Sequence, residues 1–229
     1  MTETPSPTPL DRPIWHSLTG RQAALALGDA RAVRFRPEVN LFGAAADESP
    51  AALRALAGLI EEGGTLGLLG VGAAAALPGT VVVSERRLNQ MVATRLNRTP
   101  RALKIVPLGD ADAGEMLDLA TLTAPGPFFA ETHLQGGYIG VRRGGRLVAM
   151  AGERMKVPGF SEISAVCTHP DYRGQGFARA LMEAVLAPLL ERREGVFLHS
   201  YADNPAVGLY RALGFEVRRE MTYTVVARG

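Results

Sequence analysis

Hydrophobic and polar positions follow one another in short blocks along the chain, and glycine and proline separate most of the blocks. Leucines at helical spacing predict a helix over residues 50–61, with Ser49 before it and Pro50 at its first position. Apolar runs predict short strands at residues 32–35, 65–69 and 80–83. We therefore expect the first hundred residues to form a structural α/β layer, preceded by a flexible arm over residues 1–13.

The second half of the chain has clearer boundaries between its blocks. Strands are predicted at residues 102–107, 138–142, 146–153, 162–168, 196–201 and 216–226, and helices at residues 110–121, 176–193 and 205–213. Gly144 and Gly145 predict a hairpin between the second and third of these strands. An antiparallel hairpin group followed by a strand–helix–strand crossover predicts a mixed sheet with helices packed on it.

Composition narrows the class of protein. The chain has 229 residues, of which 47% are hydrophobic and 21% are charged. A chain this long and apolar can bury a sizeable core, which excludes general disorder and fits one large domain or two smaller ones that share a core. No apolar run is long enough to span a bilayer, and residues 1–9 lack the basic and apolar regions of a secretory signal. We therefore expect no contact with a membrane.

Charge and cysteine content narrow the expected partners and the cellular compartment. The 25 basic and 23 acidic residues give a net charge of +2, so the chain lacks the basic footprint of a nucleic-acid-binding domain. The single cysteine, Cys167, cannot form an intrachain disulfide, which fits a reducing compartment and predicts a cytoplasmic protein.

The most informative segment is RGQGFA, residues 173–178, between a predicted strand and a long predicted helix. Unpaired backbone N–H groups at such a helix start would converge at the positive end of the helix dipole, which suits a phosphate or pyrophosphate. Glycine allows the phosphates to approach the backbone closely. A dinucleotide-binding loop would carry its glycines directly after the strand, and a P-loop would carry a lysine, so neither fits. Taken alone, the segment also fits a glycine turn without a ligand.

Two segments in order carry a resemblance to a known family. Residues 166–178 resemble the acyl-coenzyme A pyrophosphate loop of the GNAT superfamily of N-acetyltransferases, and residues 204–215 (NPAVGLYRALGF) resemble its later Asn, Leu-Tyr and Leu-Gly-Phe segment. The resemblance covers residues 102–229, and the glycine-acyltransferase-like branch, whose members carry an extra N-terminal half, is the most similar. It implies a mixed, mostly antiparallel twisted sheet with helices on both faces, plus an N-terminal α/β extension over residues 1–101.

The resemblance implies roles for individual residues. The backbone of Val166 and Thr168 would pair with the pantetheine arm, and the N–H near Val166 would polarise the thioester carbonyl. Asn204 would contact the same arm, although it would also serve as a helix cap. Tyr210 would protonate the departing thiolate; alternatively, it would serve only as a core residue. The groups expected to hold the pyrophosphate are the backbone amides of Arg173, Gly174, Gln175, Gly176, Phe177 and Ala178.

The general base that deprotonates the amine is less well specified. Glu162 shares a strand face with Ser164 at the expected strand mouth, and Glu153 is the second candidate. Either could instead be a solvated carboxylate at the rim. Cys167 is expected to be a small buried residue, because direct transfer needs no covalent intermediate. The histidines show no metal-ligand spacing, so no metal site is expected.

The resulting hypothesis is an enzyme that transfers acetyl from acetyl-coenzyme A to a primary amine by direct attack in a ternary complex. The acceptor is expected to be a small molecule or amino acid bound by loops, chiefly residues 124–137 and 155–160, on a monomer or homodimer. One alternative is a non-catalytic acyl-coenzyme A sensor or scaffold. Another is a partner-binding protein in which RGQGFA only starts a helix.

Overall fold

The computed structural model describes residues 8–99 and 102–229, and within these it has five α-helices and eleven strands. The helices are α1 (Pro13–Leu18), α2 (Pro50–Gly58), α3 (Ala113–Thr123), α4 (Phe177–Glu191) and α5 (Val207–Leu213). The strands are β1 (Ala26–Gly28), β2 (Ala32–Phe35), β3 (Gly43–Ala45), β4 (Thr65–Gly70), β5 (Thr80–Ala93), β6 (Val106–Leu108), β7 (Tyr138–Arg143), β8 (Arg146–Val157), β9 (Phe160–Thr168), β10 (Gly195–Tyr201) and β11 (Glu216–Arg228).

Eight strands form the main sheet in the order β4-β11-β5-β10-β9-β8-β7-β6. The pair β9 and β10 is parallel, and the other neighbouring pairs are antiparallel. The remaining strands, β1 to β3, form a small antiparallel sheet. The mixed, mostly antiparallel sheet predicted from the sequence is confirmed.

Strands from both halves of the chain share the main sheet. β5 pairs with β10 on one side and with β11 on the other, so a strand from the first hundred residues lies inside the sheet. β4 pairs with β11 beside it. The main sheet therefore runs across the predicted division at residue 101, which itself lies outside the described residues. The division into a structural region and an acetyltransferase domain stays a prediction.

Helices cover both faces of the main sheet. On one face α4 and α5 bury Leu181, Leu186 and Leu213, together with the nearby Phe215, against apolar residues of β5 and β7 to β10. On the other face α3 packs on β8 and β9, while α1 packs with the small sheet on the ends of β8, β10 and β11. Alternation explains the two faces, because neighbouring residues such as Phe197 and Leu198 of β10 enter different cores.

Several element boundaries differ from the predictions; for example, the strand expected at residues 102–107 is confined to β6, Val106–Leu108. The strand expected at residues 80–83 continues to Ala93, because β11 pairs along its whole length and compensates for polar residues such as Glu85 and Arg87. The expected arm is ordered in its described part, where Leu10 is buried and Asp11 forms ion pairs with Arg218 and Arg219. Residues 1–7 of that arm lie outside the described residues.

None of the helices in the described ranges is both long and apolar enough to cross a bilayer.

Candidate active site

The site begins where two neighbouring strands separate. β9 and β10 pair in parallel from Phe160 and Gly195 as far as Glu162 and Phe197, and there the pairing stops. Beyond that point β10 continues against β5, and β9 continues against β8. The end of this pairing leaves a gap between the two strands. It opens a cleft of about 830 Å³, which both strands line.

A β-bulge lies on β9 inside this cleft. Met150 and Gly152 of β8 are two residues apart, but their partners Cys167 and Ser164 are three apart, so β9 carries one extra residue. Ala165 has a φ of 52°, in the left-handed region that a non-glycine residue seldom adopts. A bulge leaves backbone groups of the extra residue without a ladder partner. Main-chain groups near Ala165 and Val166 are therefore the part of β9 able to bind a ligand in the cleft.

The RGQGFA segment forms the end of the cleft next to α4. Gly174 and Gly176 have φ values of 75° and 73°, which explains the glycines, because side chains at such angles are strained. Gly176 is the residue before α4, and no side chain caps the helix there. All six residues, 173–178, line the cleft. The start of a fifteen-residue helix thus faces the cleft with its positive dipole end.

The turn before this segment is held by local bonds. His169 accepts a hydrogen bond at Nδ1 from the Asp171 backbone N–H, at 3.3 Å. The Arg173 side chain is exposed and donates from Nε to the Thr168 carbonyl, at 3.4 Å. The Arg173 side chain therefore remains beside the end of β9, at the edge of the cleft.

Tyr210 lies on α5 and lines the cleft, although 91% of its surface is covered. Burial raises the pKa of the Tyr210 phenol above its ordinary value, and the nearby Ser200 hydroxyl acts in the opposite direction. The phenol consequently stays protonated at neutral pH, as a proton donor must. Its ring also packs edge-on against Phe215, so it contributes to the core as well as lining the cleft.

Asn204 also lines the cleft, in the turn that precedes α5. Its side-chain oxygen accepts a hydrogen bond from the Ala206 backbone N–H at 2.8 Å, which is the local bond expected of a residue near a helix start. Asn204 thus closes the turn before α5 but does not cap the helix, which begins at Val207 with Ala206 as its N-cap and no side-chain cap. A contact with the pantetheine arm would have to come from the amide nitrogen.

Glu162 does not lie at an open strand mouth, as the sequence suggested, but is completely buried. Its Oε2 accepts from Arg154 Nε at 2.9 Å, and its Oε1 accepts from Arg154 Nη2 at 2.6 Å and from His199 Nδ1 at 2.7 Å. Burial alone would raise the pKa of Glu162, but the Arg154 charge and these hydrogen bonds lower it to about 2. Glu162 is thus a firmly ionised carboxylate with its oxygens occupied.

The second candidate base is also engaged. Glu153 forms an ion pair with Lys156 at 2.9 Å and does not line the cleft. Across the described residues that line the cleft, none is acidic. The described residues therefore offer no carboxylate that could touch an amine in this cleft. The strand register places Glu162 on a face that Arg154 and the first half of the chain cover.

A polar network behind the cleft was not foreseen from the sequence. His199 Nε2 lies 3.1 Å from Gln90 Nε2, which also donates to the Leu10 carbonyl, and Gln90 Oε1 accepts from Arg218. These contacts are satisfied when His199 carries its proton on Nδ1, toward Glu162. The network joins β5, β8, β9 and β10, and only the strand register brings these residues together.

The rest of the cleft wall differs from the predicted loops. Residues 124–127 of the first predicted loop line the cleft, whereas its residues 128–137 and the second predicted loop, residues 155–160, do not. Apolar and aromatic residues take that place: Phe42, Leu69 and Leu88 come from the first half of the chain, and Tyr201 and Tyr223 from the second. Cys167 also lines the cleft, and burial raises its pKa to about 11, which leaves the thiol protonated. Nowhere in the described ranges do three His, Cys, Asp or Glu side chains gather as metal ligands would.

Comparisons with known proteins agree with this geometry. The family model described as FR47-like protein matches residues 138–225. A crystal structure of a putative acetyltransferase from the GNAT family, from Novosphingobium aromaticivorans, is 41% identical with a TM-score of 0.91, and the match covers 97% of this chain and all of that chain. A GCN5-related N-acetyltransferase from Kribbella flavida is 18% identical with a TM-score of 0.63, covering 93% and 92%, and shows the shared fold.

Curated relatives match over shorter stretches. A mycothiol acetyltransferase from Corynebacterium aurimucosum is 40% identical over 65 residues, or 28% of this chain and 21% of that protein. The histone acetyltransferase TAP1 of Glycine max is 37% identical over 75 residues, or 33% of this chain and 32% of that protein. The matches thus span only a fifth to a third of the length of these relatives.

Proposed function

The chain belongs to the GNAT family of acetyltransferases, and from that premise we propose that it transfers acetyl from acetyl-coenzyme A to a primary amine of a small molecule. The observation that carries the proposal is the coincidence of three features in one cleft. The gap between β9 and β10, the bulge at Ala165 and the glycine segment at the start of α4 all line it. Together they suit a long ligand with a pyrophosphate at one end and a thioester near the bulge.

Donor binding follows from backbone groups. The pyrophosphate is assigned to the N–H groups of residues 174–178, because the Arg173 N–H expected to join them already donates to the Pro170 carbonyl at 3.2 Å. The pantetheine arm is assigned to the edge of β9 near Val166 and Thr168. An extended amide-bearing arm can replace the missing strand partner in this gap. Asn204 contributes its amide from the opposite side of the cleft. Arg173 adds a cation beside the phosphates.

In the proposed reaction, the amine nitrogen attacks the thioester carbonyl carbon and forms a tetrahedral intermediate. A backbone N–H near Val166 stabilises the oxygen as it becomes negative. The carbon–sulfur bond then breaks, and the Tyr210 hydroxyl gives its proton to the departing thiolate. The amine nitrogen loses one proton to solvent in the cleft, and the Tyr210 phenolate takes up one proton in return, so that the net products are the amide and free coenzyme A. Cys167 takes no part, because the attack is direct and its thiol is protonated.

Glu162 enters the proposal as a positioning residue and not as a group that touches the amine. Its oxygens are bound by Arg154 and His199, both of which line the cleft. Any part that Glu162 takes in removing the amine proton therefore runs through the His199 ring. This form of the role is compatible with its complete burial.

Several finer assignments rest on the sequence resemblance. We assign the chain to the glycine-acyltransferase-like branch, with residues 1–101 as a structural region and residues 102–229 as the acetyltransferase domain. We also expect the protein to be a cytoplasmic monomer or homodimer that needs no metal. Each of these is part of the proposal and is open to direct measurement.

Two measurements test the proposal. Titration calorimetry with coenzyme A should show binding at a single site, and release of free thiol from acetyl-coenzyme A should depend on an added small amine. Absence of coenzyme A binding would leave RGQGFA as a mere helix start. Binding without amine-dependent turnover over a broad amine panel would favour a non-catalytic acyl-coenzyme A sensor or scaffold.

A further inference from the structure

The guanidinium of Arg154 donates hydrogen bonds from only two of its three nitrogens. Its Nε and Nη2 donate to the two oxygens of Glu162, whereas no atom of the described residues accepts a hydrogen bond from Nη1. The side chain is 9% exposed and lines the cleft. Nη1 is not among the buried side-chain atoms that lack a partner, so it reaches the open space of the cleft, where a ligand with an acceptor group can bind it.

This inference rests on the proposed acetyl transfer and names its acceptor class. We propose that Arg154 recognises a carboxylate of the acceptor, so that the acceptor is a small aminocarboxylate with an apolar or aromatic body. The amine of such a molecule would face the bulge at Ala165, while its carboxylate would accept a hydrogen bond from Arg154 Nη1.

The charges of the cleft favour an anionic group on the acceptor. The charged side chains that line it in the described part of the chain are Arg154, Arg173 and Arg179, and none of the lining residues is acidic. Arg179 is already paired with Glu183 at 3.1 Å, and Arg173 lies at the glycine segment. A polyamine or a lysine-rich peptide would find no counter-charge here. A carboxylate would find Arg154.

Glu162 does not cancel this recognition. Its two oxygens already accept hydrogen bonds from Arg154 and His199, and its complete burial keeps it away from an incoming ligand. A planar guanidinium can bind one carboxylate along its Nε–Nη2 edge and still donate to another from Nη1. Glu162 therefore acts as a positioning residue that holds Arg154 in one orientation.

The walls beside Arg154 define the body of the acceptor. The guanidinium carbon lies 5.2 Å from the centre of the Phe42 ring, and Phe42 meets Tyr223 edge-on at 5.7 Å. Leu69 and Leu88 line the same cleft. An apolar or aromatic group packed here loses water-exposed surface without burying polar atoms.

The distance along β9 between Glu162 and the bulge limits how far apart the amine and the carboxylate of the acceptor can lie. Ala165, at the bulge, is the third residue after Glu162, which corresponds to a rise of about 10 Å in an extended strand. The acceptor must place its amine and its carboxylate within that length. Both an α-amino acid and a longer aminocarboxylate fit.

A panel of matched acceptors tests the inference with the wild-type protein. One set is phenylalanine, phenylalaninamide and 2-phenylethylamine, and the other is 4-(aminomethyl)benzoate, its amide and benzylamine. We expect kcat/KM to be about 10- to 100-fold higher for the carboxylate in at least one set, which is the usual effect of a charged hydrogen bond. Equal turnover within both sets would overturn the inference and leave the proposed function intact.

A variant locates the effect. Arg154→Lys keeps a cation beside Glu162 but loses the planar guanidinium that serves two carboxylates. We expect the ratio of kcat/KM for the carboxylate to kcat/KM for its matched amide to fall toward one, with no change in coenzyme A affinity. Arg142→Lys, in an ion pair with Glu115 outside the cleft, is the matched control. A carboxylate preference that survives Arg154→Lys would also overturn the assignment, and failure of every amine despite coenzyme A binding would overturn it together with the proposed function.

Discussion

Phe197 of β10 and Glu162 of β9 are the last paired residues before these two strands separate. The side chains of these two residues lie in different environments. Phe197 enters the core beneath α1, whereas Glu162 binds Arg154 and His199 at the closed end of the cleft. The pair Glu162–Phe197 thus marks the point at which β9 and β10 stop pairing and the cleft begins.

Glycine at position 176 is expected to be required because phosphates approach the backbone there. Gly176→Asn and Gly176→Asp both tolerate the left-handed φ and have the same shape, but only aspartate adds a negative charge. We expect aspartate to weaken coenzyme A binding by at least about tenfold relative to asparagine, because like charges repel. Calorimetry on the two folded variants checks this, and equal affinities would place the pyrophosphate elsewhere.

Tyr210→Phe removes the proposed proton donor and keeps the ring. We expect kcat to fall by about 10²- to 10⁴-fold with little change in coenzyme A affinity, because the hydroxyl matters when charge develops on sulfur. Tyr138→Phe is the matched control, since the Tyr138 hydroxyl is buried, has no partner among the described residues and does not line the cleft. Wild-type turnover by Tyr210→Phe would leave that residue a purely structural role.

Glu162 is expected to make the protein sensitive to acid. Its pKa is about 2 in the folded protein against an ordinary 4.5, so its stabilising contribution is complete above pH 4.5 and is lost as the pH falls toward 2. Glu162→Gln should therefore lose less stability than the wild type between pH 5 and pH 3, although it is less stable at pH 7 because Arg154 loses its partner. Urea unfolding at several pH values measures both effects.

The control for this acid sensitivity is Glu220→Gln, which removes an exposed carboxylate paired with Arg87. An exposed ion pair contributes little, so its unfolding curve should follow that of the wild type at each pH. Identical pH dependence in all three proteins would show that the Glu162 carboxylate is not held ionised by Arg154 and His199.

Residues 102–229 are expected not to fold alone. β5 supplies hydrogen bonds to both β10 and β11, so its removal would expose two strand edges in the middle of the sheet. We expect this fragment to be insoluble or to lack a cooperative thermal transition by circular dichroism. Co-expression with residues 1–99 as a separate chain should restore solubility. A soluble, monomeric and active fragment would contradict the shared-sheet argument.

Much of the second half could be predicted because its signals are local. Gly144 and Gly145 specify the turn between β7 and β8, and both glycines of RGQGFA occupy left-handed positions in the structure. The mixed sheet followed from the order of strands and helices. The first half was less predictable, since β5 runs through polar residues that are stabilised by pairing with β11, a partner more than a hundred residues away.

The sequence by itself determined the elements that depend on backbone conformation: the glycine segment, the start of α4, and the position of Tyr210 on a short helix that ends at Gly214. The tertiary structure decided the environment of the charged residues. Whether Glu162 meets an amine or a guanidinium depends on which residues the strand register places opposite it, and Arg154 and His199 come from different strands. Register is set by long-range packing, so burial and partners can be read only from the folded chain.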